Sequence, residues 1–315
     1  MKQNRRDFIS TLALGTISSF SYTPEFDVSN QGSGFPIRLF SKPLDIYDFE
    51  FMCDVIKGCG IGGLDMTVRP GGRIEPSKVE SDLPLFAERA KKFNLVTDMI
   101  VTGILSASDQ FTERILKTAS SCGVKFYRYG WADYDFKSGI SKSLVRFADE
   151  MKLLGELNRQ FRIAGSYQNH AGARIGGPVW DLYDVFSNLQ PEFSGIQYDV
   201  RHAMVEGANT WMLGMRRVAE SINTLALKDF TWQTVNGKPE AVTVPMGEGI
   251  VNWDLYFSLV KELKIVAPIT IHVEYPLLKA GEEKLSLSQQ GVIITDKIKK
   301  DTDFIKTYLS KYNLA

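Results

Sequence analysis

The chain has 315 residues, of which 44% are hydrophobic and 23% are charged, enough for one domain with a sizeable core. Lysine plus arginine and aspartate plus glutamate both total 37, so the formal net charge is zero. Because a surface that neutralises nucleic-acid phosphates normally has an excess of positive charge, this balance argues against a nucleic-acid partner.

The N-terminal segment has the features of an export signal. Adjacent arginines, Arg5 and Arg6, precede a short apolar stretch over residues 11–20. This order is typical of a twin-arginine signal, which exports folded proteins, and the apolar stretch is shorter than the ~20 residues that span a membrane. We predict a signal segment over residues 1–25, a mature chain without a membrane span, and a periplasmic location.

The remainder, residues 26–315, is predicted to form one domain in which strands alternate with helices. Short apolar runs predict eight strands, at residues 37–41, 62–67, 95–101, 124–129, 161–168, 195–199, 224–228 and 269–274. Apolar residues at steps of three and four predict helices at 45–57, 77–92, 109–121, 141–159, 179–189, 210–222, 252–263 and 296–312.

Eight β–α units favour an α/β fold with a closed parallel barrel, the (β/α)8 or TIM barrel. An open, doubly wound sheet is the alternative. No Gly-x-Gly-x-x-Gly motif follows the first predicted strand, so the sequence offers no support for dinucleotide binding in such a sheet.

The chain's three histidines all fall near the C-terminal ends of predicted strands. His170 follows the fifth strand, His202 follows the sixth, and His272 lies in the eighth. The polar residues at the same ends are Gln168, Asp199, Lys228 and Glu274. Since catalytic groups of (β/α)8 barrels sit at the C-terminal strand ends, we expect these side chains to meet in one cleft.

This set of side chains suits proton transfer next to a carbonyl group. A carboxylate can remove a proton from the neighbouring carbon, and a lysine or a metal ion can stabilise the resulting enediolate. We therefore predict catalytic roles for Glu274, Lys228 and His202. Imidazole and carboxylate groups also suit a divalent ion such as zinc, manganese or cobalt, with Asp199, Glu274, His202 and His272 as candidate ligands.

Other side chains at the predicted barrel mouth are candidates for substrate binding. Arg69 follows the second strand, Arg128 ends the fourth, and Trp232 follows the seventh. Gln168 and His170 complete this predicted group. Aromatic faces at a barrel mouth can pack on the apolar face of a sugar, but each of these residues could equally pack within its own loop.

Several stretches resemble the xylose-isomerase-like barrel superfamily of sugar-phosphate isomerases and epimerases. They are residues 167–172 (YQNHAG), 198–203 (YDVRHA), 227–230 (LKDF), 244–249 (VPMGEG) and 272–274 (HVE). The resemblance covers residues 35–312, and the leader resembles that of exported members from Bacteroidetes-like bacteria. It implies a TIM barrel that acts on a small-molecule sugar or keto-sugar.

The resemblance also implies a metal site, from which this chain departs. Typical members hold a divalent ion with a Glu ending strand five, an Asp in strand six, a His in strand seven and a Glu ending strand eight. Asp199 and Glu274 match, whereas Gln168 and Ala226 occupy the other two positions. A glutamine cannot shuttle a proton, and an alanine cannot coordinate. Either His202 or His272 supplies the missing ligand, or Lys228 takes over charge stabilisation.

Three functional hypotheses remain open at this point. The first is a sugar or keto-sugar isomerase/epimerase-like enzyme. The second is a keto-sugar lyase or hydratase, and the third is a non-catalytic carbohydrate-binding barrel. A nuclease of the apurinic endonuclease branch is disfavoured by the zero net charge and the missing metal ligands. Barrels of this group often pair through their helices, so a homo-oligomer is compatible with the resemblance.

Overall fold

The computed structural model describes residues 35–314, so the predicted signal segment lies outside the described residues. These residues form a closed barrel of eight parallel strands in the order β1-β10-β7-β6-β5-β4-β3-β2. The barrel strands are β1 Ile37–Phe40, β2 Gly63–Val68, β3 Val96–Thr102, β4 Phe126–Arg128, β5 Ala164–Gln168, β6 Ser194–Asp199, β7 Ile222–Leu227 and β10 Ile269–Ile271. The predicted α/β fold, a (β/α)8 TIM barrel, is confirmed.

Nine α-helices are described around this barrel between residues 35 and 314. They are α1 Phe49–Gly58, α2 Val79–Lys91, α3 Thr112–Ser121, α4 Ile140–Phe161, α5 Trp180–Phe186, α6 Val200–Gly207, α7 Trp211–Val218, α8 Trp253–Glu262 and α9 Leu287–Lys311. None of these helices is both long and apolar enough to cross a membrane. Helix α9 begins earlier than predicted because Ser286 and Gln289 form a reciprocal capping box at its start.

On the β3–β5 side, the barrel interior changes from apolar to polar along the strands. Met99, Phe126 and Ala164 are paired in one row across β3, β4 and β5 and form a small buried cluster. Two residues further along β4, on the same face of the strand, stands the buried Arg128. On this side the apolar row therefore lies below the polar side chains of the C-terminal strand ends, whereas on the β1 side the buried Arg38 pairs with Asp98 at 2.6 Å.

A β-hairpin that the sequence analysis did not predict is inserted after β7. Its antiparallel strands are β8 Asp229–Val235 and β9 Lys238–Val244. They are joined by Asn236 and Gly237, which both have positive φ, as a tight two-residue hairpin turn requires. Arg201, at the start of α6, donates to the carbonyl oxygen of Ala241 at 2.6 Å and so ties the hairpin to the barrel mouth.

Asp229, the first residue of this hairpin, holds the segment that leads into α8. Its carboxylate is fully buried and accepts hydrogen bonds from backbone N–H groups and from one indole. The donors are the amides of Phe230, Gly247, Gly249 and Val251 and Nε1 of Trp253. The carboxylate of Asp229 therefore has a structural role, although the residue directly follows the seventh predicted barrel strand, where a catalytic group could lie.

Candidate active site

Lys228 lies directly after β7 and places a buried ammonium group between two carboxylates. Its Nζ is 3.2 Å from Oδ2 of Asp199 and 3.1 Å from Oε2 of Glu274, and the side chain is 2% exposed. Ala226 precedes it by two residues on the same face of the strand and pairs in register with Asp199. The small alanine leaves room for the lysine side chain beside Asp199.

Asp199 is held rigidly because it ends β6 and also caps α6. Its Oδ1 accepts the amide N–H of His202 at 3.1 Å, and its Oδ2 accepts Nε2 of Gln168 at 2.8 Å. Asn169 fixes its backbone through two hydrogen bonds, one to the carbonyl oxygen at 2.9 Å and one from the amide at 2.8 Å. Both carboxylate oxygens therefore already have partners in addition to Lys228.

A continuous chain of polar contacts runs across the mouth from β4 to the segment after β10. Arg128 donates from Nη1 to Oε1 of Gln168 at 2.6 Å, and Nε2 of Gln168 donates in turn to Oδ2 of Asp199 at 2.8 Å. Burial lowers the pKa of Arg128 to about 10, which leaves it charged at neutral pH. The glutamine is fixed between a cation and an anion, so it orients its neighbours and cannot transfer a proton.

Two buried histidines flank this chain of contacts. The ring of His202 packs on that of His170, with centroids 3.9 Å apart, and Arg201 lies 2.9 Å from its Nδ1. Since a guanidinium can only donate, Nδ1 of His202 is the acceptor, and the neutral ring carries its proton on Nε2. This Nε2–H has no hydrogen-bond partner among the described residues. His272 stacks on Phe40 at 4.5 Å, its Nδ1 lies 3.4 Å from Oε1 of Glu274, and its Nε2 has no hydrogen-bond partner there.

Burial sets the protonation states of these groups. Burial, reinforced by the charge of Lys228, lowers the pKa of His170, His202 and His272 below the usual histidine value. Burial alone would raise the pKa of Glu274, but interactions with His272 and Lys228 outweigh it and hold that pKa well below its usual range. Because His272 is itself neutral, Lys228 is the cation that keeps Glu274 ionised near pH 7.

The outer part of the mouth is aromatic and basic. His170 packs edge-on against Trp131, with centroids 4.5 Å apart, and Arg128 lies 4.2 Å from the centre of the same indole ring. Arg69 lies over Phe40 at 5.9 Å. Trp232 stands apart from this cluster, 50% exposed on the hairpin and in edge contact with Phe230.

The structure thus brings together Gln168, His170, Asp199, His202, Lys228, His272 and Glu274, with Arg128 joined to Gln168. Asn169 and Phe40 belong to the same region but were missed from the sequence. The pattern YQNHAG contained Asn169, but only the register of β5 and β6 shows that its amide bridges to the backbone of Asp199.

The predicted metal ligands do not form a metal site in this arrangement. Among residues 35–314, no group of three or more His, Cys, Asp or Glu side chains is placed to hold a metal ion. The ammonium of Lys228 occupies the space between Asp199 and Glu274, where its charge would repel a divalent ion. The ring nitrogen Nε2 of His202 lies 3.8 Å from Oδ2 of Asp199, and it carries a proton. The residues present therefore do not fit the ion that the resemblance implies.

Comparisons with known proteins identify relatives of this fold. Residues 54–294 match the model of a family described as xylose isomerase-like TIM barrel. A search of curated protein sequences finds no significant match. Among solved structures, the chain is similar to a D-allulose 3-epimerase from Methylomonas sp., with a TM-score of 0.61 and 14% identity over 88% of this chain and 99% of that one.

Two further structures are similar to the same extent. One is the probable 3-DHS dehydratase AsbF involved in petrobactin synthesis from Bacillus anthracis, with a TM-score of 0.61 and 13% identity over 86% of this chain and 99% of that one. The other is the IolI protein with a binding zinc atom, with a TM-score of 0.64 and 13% identity over 88% of this chain and 99% of that one. At these identities the similarity establishes the fold.

Proposed function

Because the chain belongs to the xylose isomerase-like TIM barrel family, we propose that it is an enzyme that moves a proton at a carbon next to the carbonyl of a sugar or keto-sugar. The observation that carries this proposal is the position of Lys228, whose buried ammonium lies against both Asp199 and Glu274. A fixed positive charge at that position stabilises the negatively charged oxygen of an enediolate.

The proposal gives each of these groups a role. Glu274 is ionised and 40% exposed, so a substrate in the mouth can reach its carboxylate. It removes the proton from the carbon, and the electron pair of the C–H bond moves onto the carbonyl oxygen. Lys228 and the Nε2–H of His202 stabilise that oxygen, the second as a neutral hydrogen-bond donor. Protonated Glu274 then returns the proton to the former carbonyl carbon, while the proton of the neighbouring hydroxyl moves to the enediolate oxygen, so that the new carbonyl lies one carbon away.

A single carboxylate base favours some reactions over others. Inversion of a carbon requires a proton donor on the opposite face, and Gln168, which stands where the family has a second glutamate, cannot fill that role. Proton return on one face fits aldose–ketose isomerisation. The proposal therefore places isomerisation ahead of epimerisation for this chain.

A second candidate is a keto-sugar lyase or hydratase. The same proton removal leads to elimination when the neighbouring carbon carries a leaving group, and the Nε2–H of His202 is placed to assist departure of that group. The similarity to a probable dehydratase supports keeping this candidate. The two reactions share their first step and differ only in the fate of the enediolate.

The leader sequence supports a further part of the proposal. Arg5 and Arg6 precede a short apolar stretch, as in a twin-arginine signal. We propose that the enzyme works in the periplasm, where its substrate is an unphosphorylated sugar.

Proton exchange in heavy water tests the proposal. The protein is incubated with a panel of ketoses, aldoses and 3-keto-sugars in D2O, and deuterium entry and products are followed by NMR. We expect deuterium at the carbon next to the carbonyl, at a rate that falls at least ~100-fold in Glu274→Gln. Glu156→Gln, a matched change on the exposed face of α4, should leave the rate unchanged.

The products separate the candidates. An aldose–ketose pair supports isomerisation, and an unsaturated keto-sugar supports elimination. Binding of a sugar with no exchange in the wild type would contradict the proposal and favour a carbohydrate-binding barrel.

A further inference from the structure

Two arginines on one side of the barrel mouth have no anionic partner. Neither Arg69 nor Arg128 forms an ion pair with a carboxylate among residues 35–314. Arg128 is 3% exposed, and its Nε has no hydrogen-bond partner there. Leaving such a charged donor buried without an anion is costly, which points to a ligand that supplies one.

The sheet register brings these two arginines together. Thr67 of β2 pairs with Val101 of β3, which pairs with Arg128 of β4, so the three residues form one row. Arg69 follows Thr67 by two residues and stands just above this row. The two guanidinium groups are close enough that the charge of Arg69, after burial, contributes to lowering the pKa of Arg128.

The carboxylates nearest to Arg69 are engaged elsewhere. Asp45 accepts a hydrogen bond from Thr67 at 2.7 Å and pairs with Arg73 at 3.4 Å. Asp65 lies below, inside the barrel, where its Oδ2 accepts from Thr270 at 2.9 Å. Neither carboxylate lies within ion-pair distance of Arg69 or Arg128. The two like charges therefore repel each other, and this side of the mouth attracts an anion.

The balance of charge at the mouth indicates how many negative charges that anion carries. Arg69, Arg128 and Lys228 carry three positive charges, whereas Asp199 and Glu274 carry two negative ones. Burial raises the pKa of Asp65 to about 7, so it adds only part of a third negative charge at neutral pH. The excess among these six groups is therefore between about one half and one positive charge at neutral pH, and Arg174, whose guanidinium lies 5.2 Å from the centre of the Trp131 ring, adds a cation at the outer rim. This excess matches a carboxylate better than a phosphate dianion, although both present oxygens that guanidinium groups can bind.

We propose that the substrate is a sugar acid whose carboxylate is bound by Arg69 and Arg128. The guanidinium groups stand on the β2–β4 side of the mouth, and Lys228 and Glu274 stand on the opposite side, after β7 and β10. A sugar acid therefore lies across the mouth with its carboxylate at the arginines and its carbonyl carbon at Glu274. This inference rests on the proposed function for the orientation of the sugar, but the anion site itself does not.

Equilibrium binding without turnover tests this inference. Calorimetry compares D-glucuronate and D-galacturonate with D-glucose, D-galactose and the two hexose 6-phosphates. We expect the uronates to bind at least ~10-fold more tightly than the neutral sugars and the phosphates. Arg69→Gln should remove most of that preference, measured as the ratio of the uronate affinity to the neutral-sugar affinity in the same variant. Arg146→Gln, on the exposed face of α4, serves as the matched control.

The outcomes separate the two proposals. A uronate preference that depends on Arg69 supports the anion site even if the protein shows no proton exchange with any sugar. Neutral sugars binding as tightly as uronates, tighter binding of the 6-phosphates, or a uronate preference that survives in Arg69→Gln would each overturn the inference.

Discussion

Lys228 is buried beneath Glu274: its Nζ lies 3.1 Å from Oε2 of the glutamate, yet the lysine is 2% exposed and the glutamate 40%. The cation is thus fixed below the mouth by Asp199, while the anion faces the space that a substrate enters. This arrangement lets one group act as a base and the other as a stationary positive charge. It also fills the space between the two carboxylates that match the family's metal ligands.

Removing Lys228 should convert this region into one that accepts a metal ion. We predict that Gln168→Glu, Ala226→His and Lys228→Ala together create a site for one Co²⁺ per chain, because they restore four ligands and remove the repelling charge. Visible absorption of bound cobalt is the measurement. The double variant that keeps Lys228 is the control and should bind at least ~10-fold more weakly. Equal binding by both variants would show that the lysine does not block the site.

His202 should act as a neutral hydrogen-bond donor. We predict that His202→Phe lowers kcat by about 100-fold with little change in KM, because the lost contact is made mainly to the negatively charged oxygen of the transition state. His202→Gln should recover part of the rate, since an amide can also donate. His170→Phe, in the outer stack with Trp131, should change KM more than kcat. Steady-state kinetics on the substrate identified by proton exchange distinguish these effects.

The loop held by Asp229 should tolerate no side chain at Gly249. A Cβ at that position would lie 2.1 Å from Oδ1 of Asp229 and 2.5 Å from the carbonyl oxygen of Phe230. We expect Gly249→Ala to lower the free energy of unfolding by about 2–3 kcal/mol, measured by urea denaturation. Gly103→Ala is the matched control, because nothing lies within 4 Å of its added Cβ. Equal stability of the two variants would contradict the structural role of this loop.

Asp65 should make stability depend on pH. Burial raises its pKa to about 7 in the folded state, against about 3.9 in an unfolded chain. Its favourable contribution is therefore fully present below the unfolded value and is lost as the pH rises through 7. We predict that Asp65→Asn gains about 2–3 kcal/mol relative to the wild type between pH 5 and pH 8. The histidines titrate alike in both proteins, so their effect cancels in this difference. A difference that does not change with pH would refute the assignment.

The barrel and the position of its site could be predicted because both follow from local patterns. Short, mainly apolar runs mark strands that are buried on both faces, as in β1 and β10. Once eight such strands alternate with helices, the closure of the barrel brings their C-terminal ends together. His170, Asp199 and His272 could therefore be placed in one region without any structural information.

The contacts that decide the chemistry could not be predicted in this way. Lys228 lies between Asp199 and Glu274 because three strand ends converge, and sequence periodicity carries no information on which oxygen a flexible lysine contacts. For the same reason, the sequence alone could not distinguish a metal site at Asp199 and Glu274 from an ion pair between these carboxylates and Lys228. The hairpin is a different case, since Asn236-Gly237 is a recognised signal for a two-residue hairpin turn and is legible in the sequence.

The rate of proton exchange with and without a chelator, in the wild type and in Lys228→Met, tests the central claim most directly. We predict that the wild type exchanges the proton next to the carbonyl at the same rate in EDTA. Lys228→Met should lose at least ~100-fold of that rate in either condition, because no other cation among residues 35–314 lies between the two carboxylates. Lys142→Met, on the exposed face of α4, should behave as the wild type. Exchange that disappears in EDTA, returns with a divalent metal and survives in Lys228→Met would contradict the account.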